Sequence, residues 1–480
     1  MTAAPIGVTQ QMLRRRPVVG VNAAHTVHSA HAGQAGLKRS IGTFQLTMFG
    51  VGATVGTGIF FVMAQAVPEA GPGVMVSFLI AGFAAGLAAL CYAELASSVP
   101  VSGSSYSYAY VTLGEVVAVG VAACLLLEYG VSTAAVAVSW SGYLNKLLSN
   151  VAGVELPHAI TAAPWEPRPG YVNLPAIILI CMCALLLIRG ASESAKVNAV
   201  MVVIKLGVLV MFVVIAFTAF DAGRFTDFAP LGASGIGSAA GTIFFSYIGL
   251  DAVSTAGDEV TDPQRTMPRA LIGALVTVTT VYLLVALAAL GAQPWQDFAG
   301  QQEAGLSTIL ENVTHGRWAG SILAAGAVIS IFSVTLVILY GQTRILFAMG
   351  CDGLLPARFA RVNPQTATPV NNTVIVAVGA ALLAAVIPLK KLTEMVSIGT
   401  LTAFIVVSIG VIVLRVRQPD LPRAFKVPGY PVTPVLSVAA CGYIMSDLHW
   451  YTWIAFSGWI SVALIFYLLW GRHHSVLNES

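Results

Sequence analysis

Residues 50–61 read GVGATVGTGIFF and lie inside an apolar run from Phe44 to Val67. At about 1.5 Å per residue in a helix, this run is long enough to cross a bilayer. Glycine is unfavourable inside a helix and permits unusual backbone angles, so four glycines within nine residues indicate an interrupted helix. Two interpretations stay open for this segment alone. Its backbone binds a small polar ligand in a protein-lined cavity, or Gly52 and Gly56 pack closely against another helix.

The composition is that of an integral membrane protein. The chain has 480 residues, of which 57% are hydrophobic and only 9% are charged, and its mean hydropathy is +0.83. Soluble domains carry about 25% charged residues. Long apolar runs exclude a β-barrel, whose strands are short and alternate in polarity. The net charge of +3 is small, so we expect the lipid bilayer and not a nucleic acid as the large partner.

Hydropathy predicts twelve membrane segments after a polar N-terminal tail, residues 1–43. Most of the 24 lysines and arginines fall in stretches that face the cytoplasm if both termini are inside. We therefore expect a multi-pass protein of the plasma membrane, the inner membrane in a bacterium. The predicted segments are roughly 44–67, 73–98, 115–145, 172–189, 196–220, 235–257, 268–292, 317–349, 370–387, 393–414, 432–447 and 450–470.

Segment 6 carries a second interruption, with Gly249 and Asp251 in the middle of an apolar helix. Segments 1 and 6 are an odd number of crossings apart, so they run in opposite directions. Paired interruptions in two inverted halves indicate the central binding site of a transporter. The fold expected is all-α, with twelve transmembrane helices and two inverted five-helix repeats, 44–220 and 221–415. Residues 416–480 would add helices 11 and 12 and a short cytoplasmic C-terminus.

Three charged residues lie at membrane depth, where charges are costly and usually functional. Lys205 in segment 5 either carries a coupled proton, since burial favours its neutral form, or permanently holds segment 5 to carbonyl oxygens of segment 1. Glu128 in segment 3 attracts a cationic substrate, binds a proton, or fixes its helix to a neighbour. Asp251 either caps the second half of segment 6 or faces the substrate. Glu94, at the cytoplasmic end of segment 2, is expected to be a gate or interfacial residue.

Aromatic residues precede the second interruption. Phe244 and Tyr247 would close over a bound ligand, although aromatic side chains in membrane helices usually only pack. No set of metal-binding side chains and no nucleophile–base pair recurs at one depth, which disfavours an enzyme. We expect no metal and no cofactor.

The sequence resembles the amino acid–polyamine–organocation superfamily of transporters, and within it the cationic amino acid transporter family and its bacterial relatives. The matching segments occur in the family's order and span residues from about 40 to 430. They are residues 50–60, 91–96 with 100–104, 248–255, 259–260 with 262–265, 267–268, and 340–344 leading to 352–356.

This resemblance implies a leucine-transporter-like fold, in which helices 1, 2, 6 and 7 rock against a scaffold. It implies that N–H groups of the first interruption bind the substrate carboxylate, and that carbonyl groups of the second bind its amino group. In proton-coupled members a lysine on helix 5 replaces a sodium ion and contacts helix 1 and a hydroxyl of helix 8. Lys205 and Ser333 match that pair. The other implied contacts are Ala53, Thr54, Gly56, Thr57 and Gly58 for the carboxylate, and Phe244, Ser246 and Tyr247 for the amino group.

The side-chain end of the substrate pocket is expected near Ile338 and Leu339 on segment 8. Both are bulky and apolar, which favours a small neutral amino acid, whereas Glu128 favours a cationic one. The sequence thus predicts proton-driven transport of L-amino acids. The alternatives are an amino acid/polyamine exchanger, an arginine/lysine carrier, and a sensor that binds amino acids without moving them.

Overall fold

The computed structural model describes residues 14–15, 41–56, 58–99, 104–166, 168–189, 195–255, 260–301, 304–363, 366 and 368–476. The predicted N-terminal tail therefore lies almost wholly outside the described residues, as does Thr57. The described residues are helical and contain no β-strand, only an isolated bridge between Ile41 and Val260.

The described chain forms seventeen α-helices joined by turns and short 3₁₀ helices. In order they are α1 (Thr43–Thr54), α2 (Ile59–Ala70), α3 (Val74–Ser98), α4 (Ser104–Thr112), α5 (Glu115–Ala152), α6 (Leu174–Ile188), α7 (Ala195–Ala216), α8 (Gly232–Phe244), α9 (Ala252–Thr255), α10 (Pro263–Ala292), α11 (Gly305–Thr314), α12 (Arg317–Cys351), α13 (Val370–Val386), α14 (Leu389–Arg417), α15 (Val432–Ser446), α16 (Trp450–Phe466) and α17 (Arg472–His474).

Each predicted segment coincides with one helix, or with a pair of helices where an interruption was expected. Segment 1 is divided into α1 and α2, and segment 6 into α8 and α9. The boundaries of most single helices agree with the sequence to within a few residues, but α5 continues to Ala152, beyond the predicted end at residue 145, and α10 begins at Pro263, before the predicted start at residue 268. Two helices, α4 and α11, lie between predicted segments and are too short to cross a bilayer at about 1.5 Å per residue.

Seven helical spans in the described part of the chain are long and apolar enough to cross a membrane, which confirms a multi-pass membrane protein. They are 59–98, 115–152, 200–219, 263–292, 317–351, 389–417 and 450–474. Three further apolar helices, α6, α13 and α15, are shorter. The full set of twelve crossings and the inverted repeat stay predictions.

In the interior of the molecule, the long helix α5 packs against both α12 and α14. Small residues permit this close approach. A Cβ added at Gly399 on α14 would lie 3.1 Å from the carbonyl oxygen of Cys124 on α5. At the periphery, Thr452 is the single fully buried residue of α16, and most residues of this helix are exposed, as an apolar surface surrounded by lipid requires. The interruptions of segments 1 and 6 therefore lie inside a wall of packed helices.

Candidate functional site

The first interruption is a short unwound stretch between α1 and α2. Regular helix ends at Thr54 and resumes at Ile59. Gly56 has a φ of +124°, which only glycine adopts without strain. A Cβ added there would lie 2.8 Å from Ser330 Oγ on α12, so this backbone also needs the space that glycine leaves.

The second interruption begins where α8 ends at Phe244. One 3₁₀ turn, Phe245–Tyr247, follows, and Ile248 is then extended with a ψ of 143°. Gly249 has a φ of +99°, after which α9 starts at Ala252. Each interruption therefore contains a glycine with a positive φ, Gly56 in the first and Gly249 in the second.

The two interruptions contact each other through their backbones. A Cβ added at Gly58 would lie 2.6 Å from Ser246 Cα, and one added at Gly249 would lie 2.8 Å from the carbonyl oxygen of Ala53. Atoms cannot approach so closely, so both contacts exclude any residue larger than glycine. The glycines of segment 1 therefore serve a close contact as well as an interruption. Ligand binding by this backbone stays a prediction.

The point where the two interruptions contact each other, called the crossing point below, has a defined polarity because of the half-helix ends that meet there. The last carbonyl groups of α1 and α8 have no partner further along their own helix, and they form the negative ends of two helix dipoles. The N-terminus of α2, which starts after Gly58, supplies free amide groups and the positive end of a third. One small region can thus receive a cation on carbonyl oxygens and an anion on amide groups, as a zwitterion requires.

Lys205 on α7 lies beside the first interruption. Its side chain is 1% exposed, and Nζ donates a hydrogen bond of 2.8 Å to the carbonyl oxygen of Gly52. The predicted contact between segment 5 and the carbonyl groups of segment 1 is therefore present. This contact is common to the proton-carrier and the structural interpretations, so the role of Lys205 stays a prediction.

A further hydroxyl on α12, one that the sequence analysis did not single out, faces the same interruption. Ser330 is 2% exposed, and its Oγ points at Gly56 and has no hydrogen-bond partner among the described residues. The predicted Ser333 is also buried on α12. Residues three apart share a helix face, so hydropathy could not choose between these two serines.

Two buried carboxyl groups form a polar cluster beside the second interruption. Asp251 Oδ2 accepts hydrogen bonds from the hydroxyls of Tyr129 at 3.2 Å and Ser104 at 3.4 Å. Glu128 lies on the turn that also carries Tyr129 and is 1% exposed. Within the part of the chain described, Glu128 Oε1 and Asp251 Oδ1 accept no hydrogen bond. Each carboxyl group can thus still receive a donor or a proton.

The aromatic residues before the second interruption are packed against neighbouring helices. Phe244 contacts Phe404 on α14 edge to face, with ring centres 5.7 Å apart, and Phe245 contacts Phe61 at 5.6 Å. Tyr247 donates a hydrogen bond of 3.2 Å to the carbonyl oxygen of Phe78. Closure of these rings over a ligand stays a prediction.

The expected side-chain end of the pocket lies on α12. Ile338 is 7% exposed and Leu339 is fully buried. Two residues further on, Gly341 packs against the ring of Tyr129, where an added Cβ would lie 2.8 Å from a ring carbon. This part of α12 therefore adjoins the turn that carries Glu128, and contact between Ile338 or Leu339 and a substrate stays a prediction.

A second unpredicted residue, Tyr282 on α10, connects both interruptions. Its hydroxyl lies 2.9 Å from the carbonyl oxygen of Thr54 and 2.8 Å from that of Ser246. No local pattern predicts this role, because a tyrosine in an apolar helix is common and both contacts are distant along the chain.

The structure thus has two interrupted helices in backbone contact, with a buried lysine beside them and polar groups around the crossing point. These features define the class of secondary transporters with discontinuous helices. A family model described as "Amino acid permease" matches residues 41–474. The chain belongs to this amino acid permease family. It is a transporter and not an enzyme, and the resemblance to the amino acid–polyamine–organocation superfamily is confirmed.

Individual relatives cover nearly the whole chain. Two proteins of Bacillus subtilis (strain 168) match 94% of this chain over 97% of their own lengths: the branched-chain amino acid permease BcaP, 42% identical, and a methylthioribose transporter, 40% identical. The "Cationic amino acid transporter 4, vacuolar" of Arabidopsis thaliana is 36% identical over 80% of this chain and 64% of its own length. Relatives this similar carry different substrate names, so family membership alone does not assign the substrate.

Proposed function

We propose that this protein is a proton-coupled transporter of neutral L-amino acids that works by alternating access. It needs no cofactor, because the proton gradient supplies the energy. The observation that carries the proposal is the backbone crossing of the two interruptions, where Gly58 contacts Ser246 and Gly249 contacts Ala53. Carbonyl and amide groups at this crossing suit the ammonium and carboxylate groups that all α-amino acids share.

The substrate carboxylate would bind amide groups of residues 53–58, which include Thr57. Its ammonium group would bind carbonyl groups around Phe244, Ser246 and Tyr247. This assignment follows from the dipole directions of the half-helices, since an anion is favoured at an N-terminus and a cation at a C-terminus. Asp251 and Glu128 would adjoin this site and set its charge.

Proton coupling is proposed for Lys205, with Ser333 or Ser330 as the neighbouring hydroxyl. A charged Lys205 holds the carbonyl oxygen of Gly52 at 2.8 Å, and a neutral amine would hold it less strongly. Loss of the proton would thereby release α1 from α7. The protonated amine of Lys205 would then occupy the position that a bound cation would occupy between the same helices.

The same proposal includes the membrane arrangement. Twelve crossings, with 44–220 and 221–415 as inverted repeats, would put both termini in the cytoplasm and the crossing of α1 and α8 near the middle of the membrane. Residues 416–480 would contribute the last two crossings. The bacterial relatives make the plasma membrane the expected location.

A neutral side chain is favoured by the apolar residues Ile338 and Leu339. The relative named a branched-chain amino acid permease extends the range of test substrates from alanine to leucine, isoleucine and valine. Glu128 favours a cationic substrate, which is the main alternative. The relative named a methylthioribose transporter makes a sugar a further alternative substrate. An amino acid/polyamine exchanger and a non-transporting sensor are further alternatives.

The test is uptake by purified protein in sodium-free proteoliposomes with an inward proton gradient. The panel contains radiolabelled alanine, leucine, valine, arginine, lysine and methylthioribose, each with and without a protonophore. Accumulation of a neutral amino acid that a protonophore abolishes is the expected result.

Each other result selects an alternative. Accumulation of arginine or lysine would mean that Glu128 outweighs the apolar end of the site. Exchange of internal for external substrate without net accumulation would identify an exchanger. Binding in detergent without any flux would identify a sensor, and accumulation of methylthioribose alone would overturn the amino acid assignment.

A further inference from the structure

Where Tyr282 contacts the two interruptions, a single hydroxyl group lies within hydrogen-bond distance of two carbonyl groups. Its hydroxyl lies 2.9 Å from the carbonyl oxygen of Thr54 and 2.8 Å from the carbonyl oxygen of Ser246, and the residue is fully buried. A phenolic hydroxyl has a single proton to donate. Two carbonyl groups therefore share one donor, and neither receives a full hydrogen bond from Tyr282.

Both carbonyl groups belong to helix ends that point at the crossing. Thr54 is the last residue of α1, and Ser246 lies in the 3₁₀ turn that ends α8. Because such carbonyl groups carry the negative ends of the helix dipoles, a cationic donor is a better partner for them than a neutral hydroxyl. The substrate's ammonium group, with three protons, is a cationic donor of this kind.

The ring of Tyr282 is held so that its hydroxyl can reach both acceptors. It packs edge to face on Phe78, with ring centres 6.2 Å apart, and on Tyr247, with ring centres 5.5 Å apart. These neighbours belong to α3 and to the turn after α8. The ring position therefore does not depend on the hydroxyl, and removing only the oxygen leaves the packing intact.

We propose that Tyr282 is a positioning residue for the substrate's ammonium group. Its hydroxyl aligns the carbonyl groups of Thr54 and Ser246 toward one point, and when an amino acid binds, the hydroxyl donates to one of them while the ammonium group takes the other. This inference rests on the proposed function and goes beyond it by assigning recognition of the amino group to a residue of α10.

The test compares the Tyr282→Phe variant with wild type for two ligands that differ only in the cationic group. L-alanine is paired with L-lactate, and L-leucine with L-2-hydroxyisocaproate, and dissociation constants are measured by competition in detergent. Loss of the shared donor should weaken amino acid binding about ten-fold, the size of one charge-assisted hydrogen bond. Binding of the hydroxy acids should not change, so the ratio between the two ligands falls about ten-fold.

Tyr143→Phe is the matched control. Tyr143 is also fully buried, and its hydroxyl donates a hydrogen bond of 2.5 Å to the carbonyl oxygen of Phe60 on α2, just past the first interruption. This variant removes a buried hydroxyl–carbonyl contact of the same kind without touching the C-terminal ends of α1 and α8. Its ratio between amino acid and hydroxy acid should equal that of wild type.

The outcomes separate this inference from the proposed function. If wild type binds no amino acid, the proposed function fails first. If wild type binds amino acids and Tyr282→Phe weakens both ligands equally, or neither, Tyr282 is only structural and the inference is overturned. A ratio that falls in Tyr143→Phe as well would also overturn it, because the effect would then belong to any buried hydroxyl near the site.

Discussion

Single glycines decide whether this site can form. Gly58 and Gly249 each lie where a Cβ would overlap the opposite interruption, at 2.1 Å from Ser246 Oγ and at 2.8 Å from the Ala53 carbonyl oxygen. Here the atoms opposed are backbone or lie next to it, so the structure cannot relieve the overlap by a change of rotamer.

We therefore expect Gly58→Ala to abolish substrate binding and to lower stability by about 1–3 kcal/mol, the usual range for overpacking. Gly379→Ala on α13 is the control, because nothing lies within 4 Å of its added Cβ. That control should be neutral or slightly stabilising. Thermal unfolding in detergent and ligand competition measure both effects, and normal binding by Gly58→Ala would contradict the backbone contact.

The buried lysine leads to a second expectation at this scale. Lys205→Ala should lose proton-driven accumulation while keeping weak binding, because the carbonyl groups of α1 and α8 remain. The readout is uptake with and without a pH gradient. Lys391→Ala, which removes an exposed lysine, is the control and should accumulate substrate normally. Wild-type accumulation by Lys205→Ala would remove the lysine from the coupling mechanism.

Residues differ in how far their role could be predicted from sequence. Gly56, Gly249 and Lys205 were identified because each is locally anomalous: glycine or charge in an apolar helix. Tyr282 and Ser330 are locally ordinary, and only contacts made over long sequence distances reveal them. Tyr282 reaches Thr54 across 228 residues, so no local pattern could have identified it.

At the scale of elements, α14 forms polar contacts near both of its ends with helices that move in the proposed mechanism. Near its start, Ser397 donates a hydrogen bond of 3.0 Å to the carbonyl oxygen of Gly241 on α8. Near its end, Arg415 binds Glu94 on α3 with two hydrogen bonds of 2.7 Å and 2.5 Å. Glu94 was expected to be a gate or interfacial residue, and the structure shows the ion pair that holds it.

The Glu94–Arg415 ion pair should contribute much more to stability than the Lys390–Glu69 ion pair at the opposite end of α14. The side chain of Glu94 is 1% exposed, and Arg423 adds a second cation at 3.4 Å. Leaving these charges without a buried partner costs about 3–5 kcal/mol. Lys390, in contrast, is 46% exposed where it pairs with Glu69, and such pairs contribute about 0–1 kcal/mol.

Glu94→Gln should therefore lower the unfolding temperature strongly, and Lys390→Gln should leave it almost unchanged. Both variants are compared with wild type by thermal unfolding in the same detergent. Equal shifts for the two would mean that burial does not govern the strength of these pairs. The pairing itself could not be predicted, since Glu94 and Arg415 are 321 residues apart and many arginines were available on the same side.

For the whole molecule, the positions of the helices could be predicted well and their arrangement could not. Helix positions follow from apolar length, which is a local property of the chain. Packing of α5 against α12 and α14 depends on which faces meet, and segments that are hydrophobic on all sides carry little information about this. The short α4 and α11 were missed for a similar reason, because neither has the apolar length of a crossing.

The number of crossings leads to a prediction that uses thiol labelling. With twelve crossings and a cytoplasmic N-terminus, Trp165 lies outside and Arg361 inside. Cys181 and Cys351 are exposed and are first replaced by serine. In intact cells, a membrane-impermeant maleimide should label Trp165→Cys and should label Arg361→Cys only after permeabilisation. Labelling of both from outside would contradict the predicted arrangement.

The backbone contact between Gly58 and Ser246 also determines how this protein tolerates sequence change. A site formed by main-chain atoms cannot be lost by deleting a side-chain functional group, because every residue type except proline supplies the same N–H and carbonyl groups. It can be lost by adding volume. In a saturation library at Gly58, we therefore expect activity to fall with the size of the introduced residue and not to depend on its polarity or charge. In a library at the α12 positions expected to face the substrate's side chain, we expect activity to depend on the polarity and charge of the introduced residue. Substrate range could then diverge within the family while recognition of the amino acid moiety stays constant.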